Sequence, residues 1–236
     1  KHVVTTTFTS IKLIFKPDKY GKKEYVELLS MLFVVFKTAR TKGWLVLEQH
    51  IENPHESSIF SKFPSFHADH HAVTFLCDYL RLISLGAEKP HEVEALMDQE
   101  IDTQKEERGH ASHAIQGMAD GMPALGIVAA VLGVIHTMGS ITEPPEVLGH
   151  LIGGALVGTF LGVFLSYGFI APISSAIKDR NDTELKYYLC IKTSVLAFLQ
   201  GAAPQVAIEF GRKILLHDAQ PTFAEVEQAT QNVAVA

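Results

Sequence analysis

Two long stretches of the sequence lack Asp, Glu, Lys and Arg altogether. They cover residues 121–142 and 147–177, and only Glu143-Pro144-Pro145-Glu146 separates them. As a helix, the first stretch would be about 33 Å long, enough to cross a hydrocarbon core of about 30 Å. The second is longer, so its last turns would lie in headgroups or water. The pattern predicts a transmembrane helical hairpin over residues 121–177.

Outside this hairpin, apolar residues recur at helical spacing, and no segment alternates as a strand does. The predicted helices cover Lys22–Lys42 and residues 44–51, 68–85, 90–108, 183–200 and 205–216. A last short helix is predicted after Thr222, which stands at capping-box spacing from Glu225. Residues 108–120 are small and polar, which suits a chain that approaches a membrane surface.

Basic residues lie on the outer sides of the predicted hairpin, and the connecting turn has none. They are Lys105 and Arg108 before the hairpin and Lys178, Arg180 and Lys186 after it. Lys and Arg close to membrane segments stay cytoplasmic. We therefore predict an all-α membrane protein in which residues 1–120 and 178–236 are cytoplasmic and helical and the turn faces outside.

Overall composition changes this interpretation little. The 236 residues are 47% hydrophobic and 19% charged with a net charge of −6, values that also describe a soluble domain. The mild acidity argues against a nucleic-acid partner. Cys77 and Cys190 are too few for a disulfide framework and are predicted to be buried free thiols.

Small residues recur along both predicted spans. Gly154, Gly158 and Gly162 would lie on one face of the second helix, and Gly126, Ala130 and Gly133 form a comparable strip on the first. Because small residues let membrane helices approach closely, the pattern indicates tight packing. Assembly into an oligomer is favoured over a hairpin that is closed within one chain.

Three further positions in the spans have distinctive chemistry. Pro123 and Pro172 can kink their helices, and Thr159, near the middle of the second span, can donate to a carbonyl one turn back. Neither span contains a carboxylate. An ion pathway would therefore need a charge from a partner helix.

Several separated strings resemble the MotA/TolQ/ExbB proton-channel family, and in particular its flagellar stator subunits. In the hairpin they are DGMPALGIVAAV at residues 120–131, VGTFLG at 157–162 and YGFIAP at 167–172. Outside it they are IENP at residues 51–54, DYLRL at 78–82, EALMD at 94–98 and AIEFGRK at 207–213. The resemblance covers essentially the whole chain.

The resemblance implies a bacterial inner-membrane protein with no enzymatic activity and no cofactor beyond the transported ion. Copies of the chain would surround a MotB-like partner whose single membrane helix brings the ion-binding aspartate. Pro123 and Pro172 match the prolines that shape the channel, and Thr159 matches a channel-facing threonine. Arg40 and Glu48 match a charged pair that contacts the rotor protein FliG.

The resemblance also bears on the ion and on the helix count. Ala130 stands where sodium-type relatives have a threonine, which favours protons because a hard cation needs oxygen ligands. Family members have two further membrane helices before the region that corresponds to Lys1, and residues 1–236 do not include them. The expected fold is therefore the hairpin with its helical cytoplasmic domain.

Two alternative functions remain open at this level. The first is an ExbB/TolQ-type energiser of outer-membrane processes. The second is a membrane-anchored, metal-responsive binding protein built around His67, Asp69, His70 and His71, although no third spaced ligand joins His67 and His71. His136, inside the first span, could sense pH or simply line the water-exposed outer end of that span.

Overall fold

The computed structural model describes residues 7, 9–12, 14, 16–86 and 89–233. Its long elements are helices α1 (Lys22–Lys42), α2 (Trp44–Glu52), α3 (Pro64–His67), α4 (His70–Ser84), α5 (Pro90–Met138), α6 (Pro145–Leu165), α7 (Ala171–Leu199), α8 (Pro204–Lys213) and α9 (Phe223–Asn232). Short 3₁₀ turns occupy Pro54–Glu56 and Phe60–Lys62, and a π-turn at Ser166–Ile170 joins α6 to α7. No strand occurs among the described residues, which confirms the all-α prediction.

The chain divides into two compact units. The hairpin unit comprises Lys1–Pro17 and Glu106–Asn181, and the helical unit comprises Asp18–Lys105 and Asp182–Ala236. The predicted division at residues 120 and 178 concerned the membrane boundaries, and it stays a prediction. Residues 1–6 and 234–236 of the predicted cytoplasmic segments lie outside the described residues.

The helical unit is built around α1, most of whose residues are buried. Helices α2, α3, α8 and α9 all pack against it. Aromatic rings hold distant parts of the unit together: Tyr20 stacks on Tyr187 with ring centroids 3.9 Å apart, and Phe36 stacks on Phe198 at 4.6 Å. Sequence periodicity predicted α1 well because its broad apolar face fills this core.

Helix α8 approaches α7 within the same unit through a glycine. A Cβ atom on Gly211 would lie 2.1 Å from Ser194 Oγ and 2.9 Å from the Cys190 carbonyl oxygen. A larger residue would push the two helices apart. Beside this contact, the buried Arg212 donates to both carboxylate oxygens of Glu209 and to the Pro221 carbonyl, which fixes the chain that leads to α9.

Several predicted boundaries were wrong. The predicted helix over residues 90–108 and its small polar continuation form one helix with the first span, because Gly and Ser do not break a helix whose neighbours pack against it. The first span ends at Met138 rather than Thr142. There, Gly139 and Ser140 start a turn before Pro145, whose fixed φ suits the first position of α6.

The second span was predicted as one helix over residues 147–177, but the π-turn at Ser166–Ile170 interrupts it. The Ala171 N–H donates to the Ser166 carbonyl, five residues back. Pro172, which has no N–H, follows at once, so the widened turn lies where the normal hydrogen-bond ladder cannot continue. The predicted helix over residues 183–200 is present, and it continues the second membrane helix, since α7 runs from Ala171 to Leu199.

Candidate functional site

The two hairpin helices meet through small residues. A Cβ on Gly126 would lie 2.7 Å from the Gly158 carbonyl oxygen, and one on Gly162 would lie 2.8 Å from the Met122 carbonyl oxygen. Two turns after Gly126, a Cβ on Gly133 would lie 2.5 Å from that of Ala155. Backbone therefore touches backbone, and the prediction of tight packing is confirmed.

The predicted glycine face of the second helix is only partly used in this contact. Gly154 was expected to share it with Gly158 and Gly162, but among the described residues no atom would lie within 4 Å of a Cβ at Gly154. The same is true of Gly149 and Gly153. The reason is that the contact follows a line through Ala155, Gly158 and Gly162, so a second row of small residues faces away from the first helix.

Polar side chains of the second helix form a series of hydrogen bonds to backbone carbonyls of the first. In each bond the side chain donates. The pairs are Thr159 Oγ1 to Gly126 O at 3.3 Å, Ser166 Oγ to Ala119 O at 2.6 Å, Ser174 Oγ to Ser112 O at 2.8 Å and Asn181 Nδ2 to Arg108 O at 2.9 Å. The donors recur every seven or eight residues, which keeps them on one side of the helix.

This series corrects the prediction for Thr159, whose hydroxyl bonds across the hairpin rather than to its own helix. The cause is the close approach at Gly126, which brings a carbonyl within reach of Thr159. Ser166 and Ser174, both buried, were not singled out from the sequence. A serine inside an uncharged span is a weak signal, and its partner became visible only once the helices were paired.

The predicted channel prolines and Ala130 all lie in the hairpin unit. Pro123 is half-buried inside α5, and Pro172 is exposed at the second position of α7. Ala130 is half-buried, and its backbone nitrogen would be 3.7 Å from a Cβ on Gly158. The structure therefore places Ala130 and Thr159 beside the same contact, while their role toward an ion remains a prediction.

The outside of the hairpin is strongly apolar. Helices α5 and α6 with α7 each contain an 18-residue window of mean hydropathy 1.9, of which 11% is buried. Large exposed side chains on them include Leu125, Ile127, Val128, Leu132, Ile135, Leu156, Phe160 and Phe169. Exposed apolar surface of this extent suits lipid or neighbouring membrane helices.

The predicted rotor-contacting pair lies in the helical unit. Arg40 near the end of α1 and Glu48 in α2 are both exposed, and Arg40 Nη1 donates to the Ala202 carbonyl at 3.3 Å. Gly43, at φ +83° and ψ 169°, is the only residue between the two helices. This conformation is essentially confined to glycine, so Gly43 sets the turn that separates the two charges.

An apolar side chain accompanies this pair. Leu45, at the start of α2, is 81% exposed. Within the described residues, Glu48 has no ion-pair partner within 4.0 Å. The rim formed by Arg40, Leu45 and Glu48 therefore offers two opposite charges and an apolar contact to solvent, and Leu45 was missed because an isolated leucine gives no sequence signal.

The histidine cluster differs from the predicted one. His67 ends α3 and His71 lies in α4, so the two do not share a helix; Asp69 between them caps α4 by accepting from the Ala72 N–H. His55 instead contacts His67 and His70, with ring centroids 5.8 and 5.0 Å apart. Within residues 16–86 and 89–233, no three His, Cys, Asp or Glu side chains are grouped to hold a metal ion.

Three buried groups of the helical unit have shifted pKa values. Burial raises the pKa of the Cys77 thiol to about 12, and burial also raises that of Cys190, so both stay protonated at neutral pH. Both thiols are free and buried, as predicted. Burial alone would raise the pKa of Asp69, but hydrogen bonds from Lys19 and Tyr20 outweigh it and hold that pKa below its ordinary value.

Comparison with known proteins identifies the family. The family model described as the MotA/TolQ/ExbB proton channel family matches residues 68–189, more than half of the chain. The chain belongs to this family of proton channels. Its fold agrees with that of the flagellar MotAB stator complex from Bacillus subtilis, with a TM-score of 0.66 and 24% identity over 97% of this chain and 80% of that one.

Two similar members of the MotA/TolQ/ExbB family are named for motility and chemotaxis. Motility protein A of Escherichia coli (strain K12) is 42% identical over 227 residues, which are 96% of this chain and 77% of that protein. Chemotaxis protein LafT of Vibrio parahaemolyticus is 37% identical over 96% of this chain and 80% of that protein. These similarities confirm the predicted family and the predicted function, a stator subunit of the flagellar motor.

Proposed function

We propose that this MotA-type chain forms, together with a MotB-like partner in the bacterial inner membrane, the ion channel of a flagellar stator. The observation that carries the proposal is the uncharged hairpin, which is packed through glycine and leaves a second row of small residues uncovered. Residues 121–142 and 147–177 contain no carboxylate, so the partner's membrane helix supplies the ion-binding aspartate. Several copies of the chain surround the partner helices, and lipid covers the outer surface.

The transported ion in this proposal is the proton. Ala130 contributes a methyl group beside Thr159, and a sodium ion would need further oxygen ligands at such a place. A proton needs only the partner's carboxylate. The ion is the cargo of transport, and the mechanism requires neither a cofactor nor covalent chemistry.

Ion flow drives movement in steps. Protonation neutralises the partner's aspartate, and the ring of hairpins advances around that helix. Each charge that crosses 100 mV releases roughly 2.3 kcal/mol, which is sufficient for repeated small steps. Arg40 and Glu48 transmit the movement through complementary charges on the rotor protein FliG. Their exposure supports this role, since neither side chain forms an ion pair with another described residue.

An ExbB/TolQ-type energiser is the second candidate within the same family. The 42% identity to a motility protein favours the stator. The exposed Arg40 and Glu48 also favour the stator, because a stator needs exposed charges to contact the rotor, whereas an energiser of outer-membrane processes has no flagellar rotor.

Charge reversal at the rim tests the proposed function. The gene for this chain and its partner are expressed in a stator-deleted cell, and Arg40→Glu and Glu48→Lys are compared with the unchanged chain. We expect filaments of normal number with swimming lost or strongly reduced. Lys23→Glu is the matched control, because Lys23 is exposed on the same helix α1 at its opposite end.

The outcomes separate the parts of the proposal. Normal swimming by both rim variants would refute the rotor contact. Failure of the unchanged chain to restore swimming, with the protein present in the membrane, would refute the stator assignment. Restoration of outer-membrane transport in an energiser-deleted cell would instead support the second candidate.

A further inference from the structure

Pro123 leaves a specific backbone group without its usual partner. In an α-helix, the carbonyl of each residue accepts from the N–H four positions later. The residue four positions after Ala119 is Pro123, which has no N–H. The Ala119 carbonyl in α5 therefore lacks its usual i+4 donor.

Ser166 of the second helix supplies the missing donor. Its hydroxyl lies 2.6 Å from the Ala119 carbonyl oxygen. Ser166 is fully buried and Ala119 is 1% exposed, so water has no access to this carbonyl in the folded hairpin. A buried carbonyl without a donor is unfavourable, and the Ser166 hydroxyl removes that cost.

Ser166 also belongs to the irregular part of the second helix. It begins the π-turn, and its own carbonyl accepts the Ala171 N–H. Pro172 follows directly after Ala171. Ser166 is thus linked to both prolines. Its side chain donates to the carbonyl that lost its donor at Pro123, and its backbone belongs to the turn that precedes Pro172.

We infer that Ser166 is a positioning residue that couples the two prolines of the hairpin. When one helix changes its bend, the bond from Ser166 to Ala119 makes the other helix follow. This inference rests on the proposed function, in which the prolines shape the channel. It assigns to Ser166 a role that neither proline can perform alone, since proline offers no donor.

The hairpin contains a matched comparison for this bond. Ser174 is also buried and donates across the same helix pair, to the Ser112 carbonyl at 2.8 Å. The residue four positions after Ser112 is Gln116, which has an N–H. The Ser112 carbonyl therefore has its usual helical donor, and the Ser174 bond is an addition to the ladder rather than a replacement.

A double-mutant cycle on the purified complex with its partner tests the coupling. The variants are Ser166→Ala, Pro123→Ala and both together, and the readout is amide exchange in peptides from residues 115–126 and 162–172. We expect Ser166→Ala to raise local exchange about fivefold in the natural background, as for the loss of one hydrogen bond. With Pro123→Ala the restored N–H satisfies the Ala119 carbonyl, so Ser166→Ala should then have little effect.

Two controls make the cycle specific. Ser174→Ala should have the same effect with and without Pro123→Ala, because its carbonyl partner does not depend on the proline. Ser166→Thr keeps a hydroxyl and should restore protection in the natural background. Equal effects of Ser166→Ala in both backgrounds, or no rescue by Ser166→Thr, would overturn the inference.

A motor measurement then connects the bond to function. Stall torque of tethered cells should fall with Ser166→Ala and recover with Ser166→Thr, while membrane abundance of the protein stays constant. Coupling in the exchange cycle with unchanged torque would overturn the positioning role. Failure of the unchanged chain to drive rotation would count against the proposed function only, because the exchange cycle does not require a working motor.

Discussion

The two units of this chain are held together in different ways. The helical unit buries large side chains such as Tyr25, Phe36 and Tyr188, whereas the buried residues of the hairpin are mostly alanine, glycine and serine. In water, apolar side chains stabilise a fold by leaving the solvent; in lipid, that gain is absent and close backbone approach with interhelical hydrogen bonds takes its place. Each unit is therefore vulnerable to a different kind of substitution.

The largest expected effect comes from emptying the aromatic core of the helical unit. Phe36→Ala removes a fully buried ring that stacks on Phe198, and should lower the free energy of unfolding by about 3–5 kcal/mol. Trp44 is the only tryptophan and contacts Phe198, so its fluorescence reports on this unit. Denaturant titration of purified protein measures the change.

The control for this substitution is Phe160→Ala in the hairpin. Phe160 is 62% exposed, so its loss should leave the Trp44 transition in place. If both variants shifted the Trp44 unfolding transition by a similar amount, the stability of the helical unit would not depend on its own buried side chains in the way proposed.

A smaller effect is expected when the backbone contact of the hairpin is disturbed. A Cβ at Gly162 would lie 2.8 Å from the Met122 carbonyl oxygen, so Gly162→Ala should force the helices apart and cost about 1–3 kcal/mol. Hydrogen exchange over residues 121–165 should rise while the Trp44 transition stays unchanged. Gly154→Ala adds the same methyl group where none of the described residues lies within 4 Å, and should leave exchange within the hairpin unaltered.

The smallest expected effect is the loss of stability in acid that follows from protonation of Asp69. The pKa of Asp69 is held below its ordinary 3.8 because Lys19, Tyr20 and the Ala72 N–H outweigh the effect of burial. A lowered pKa contributes stability that is present above the unfolded value and is lost as the pH falls through the folded value. The stability difference between the natural chain and Asp69→Asn, followed through Trp44, should therefore shrink as the pH falls below the ordinary 3.8 and through the lower pKa of the folded state. A constant difference across that range would argue against the ion pair.

Sequence reasoning succeeded where a single helix carries the information. Local pattern predicted the apolar face of α1 and the capping box of Thr222 with Glu225, and the structure has both. The uncharged stretch over residues 121–142 likewise predicted a helix, which the structure has as far as Met138. The strings shared with the MotA/TolQ/ExbB family supplied the function.

It failed where two segments must be paired before a contact exists. The partner of Thr159, the importance of Ser166 and the place of His55 beside His70 depend on which faces meet, and periodicity leaves that open. Gly154 illustrates the same limit: the four-residue spacing puts it in line with Gly158, but the crossing of the helices decides which glycines touch. The roles of Ala130, Arg40 and Glu48 came from resemblance and stay predictions.

The turn at Gly43 has a consequence for how such a chain can vary over generations. In the part of the chain that the structure describes, no atom lies within 4 Å of a Cβ built at Gly43, so the position looks open to any amino acid. Its backbone conformation nevertheless closes it to nearly all of them, whatever the surrounding space. Substitution of the exposed Leu45 would change the chemistry of the rim and leave its backbone intact, whereas substitution of Gly43 would change the backbone itself. The spatial arrangement of the rim therefore tolerates fewer amino acids than its surface chemistry does.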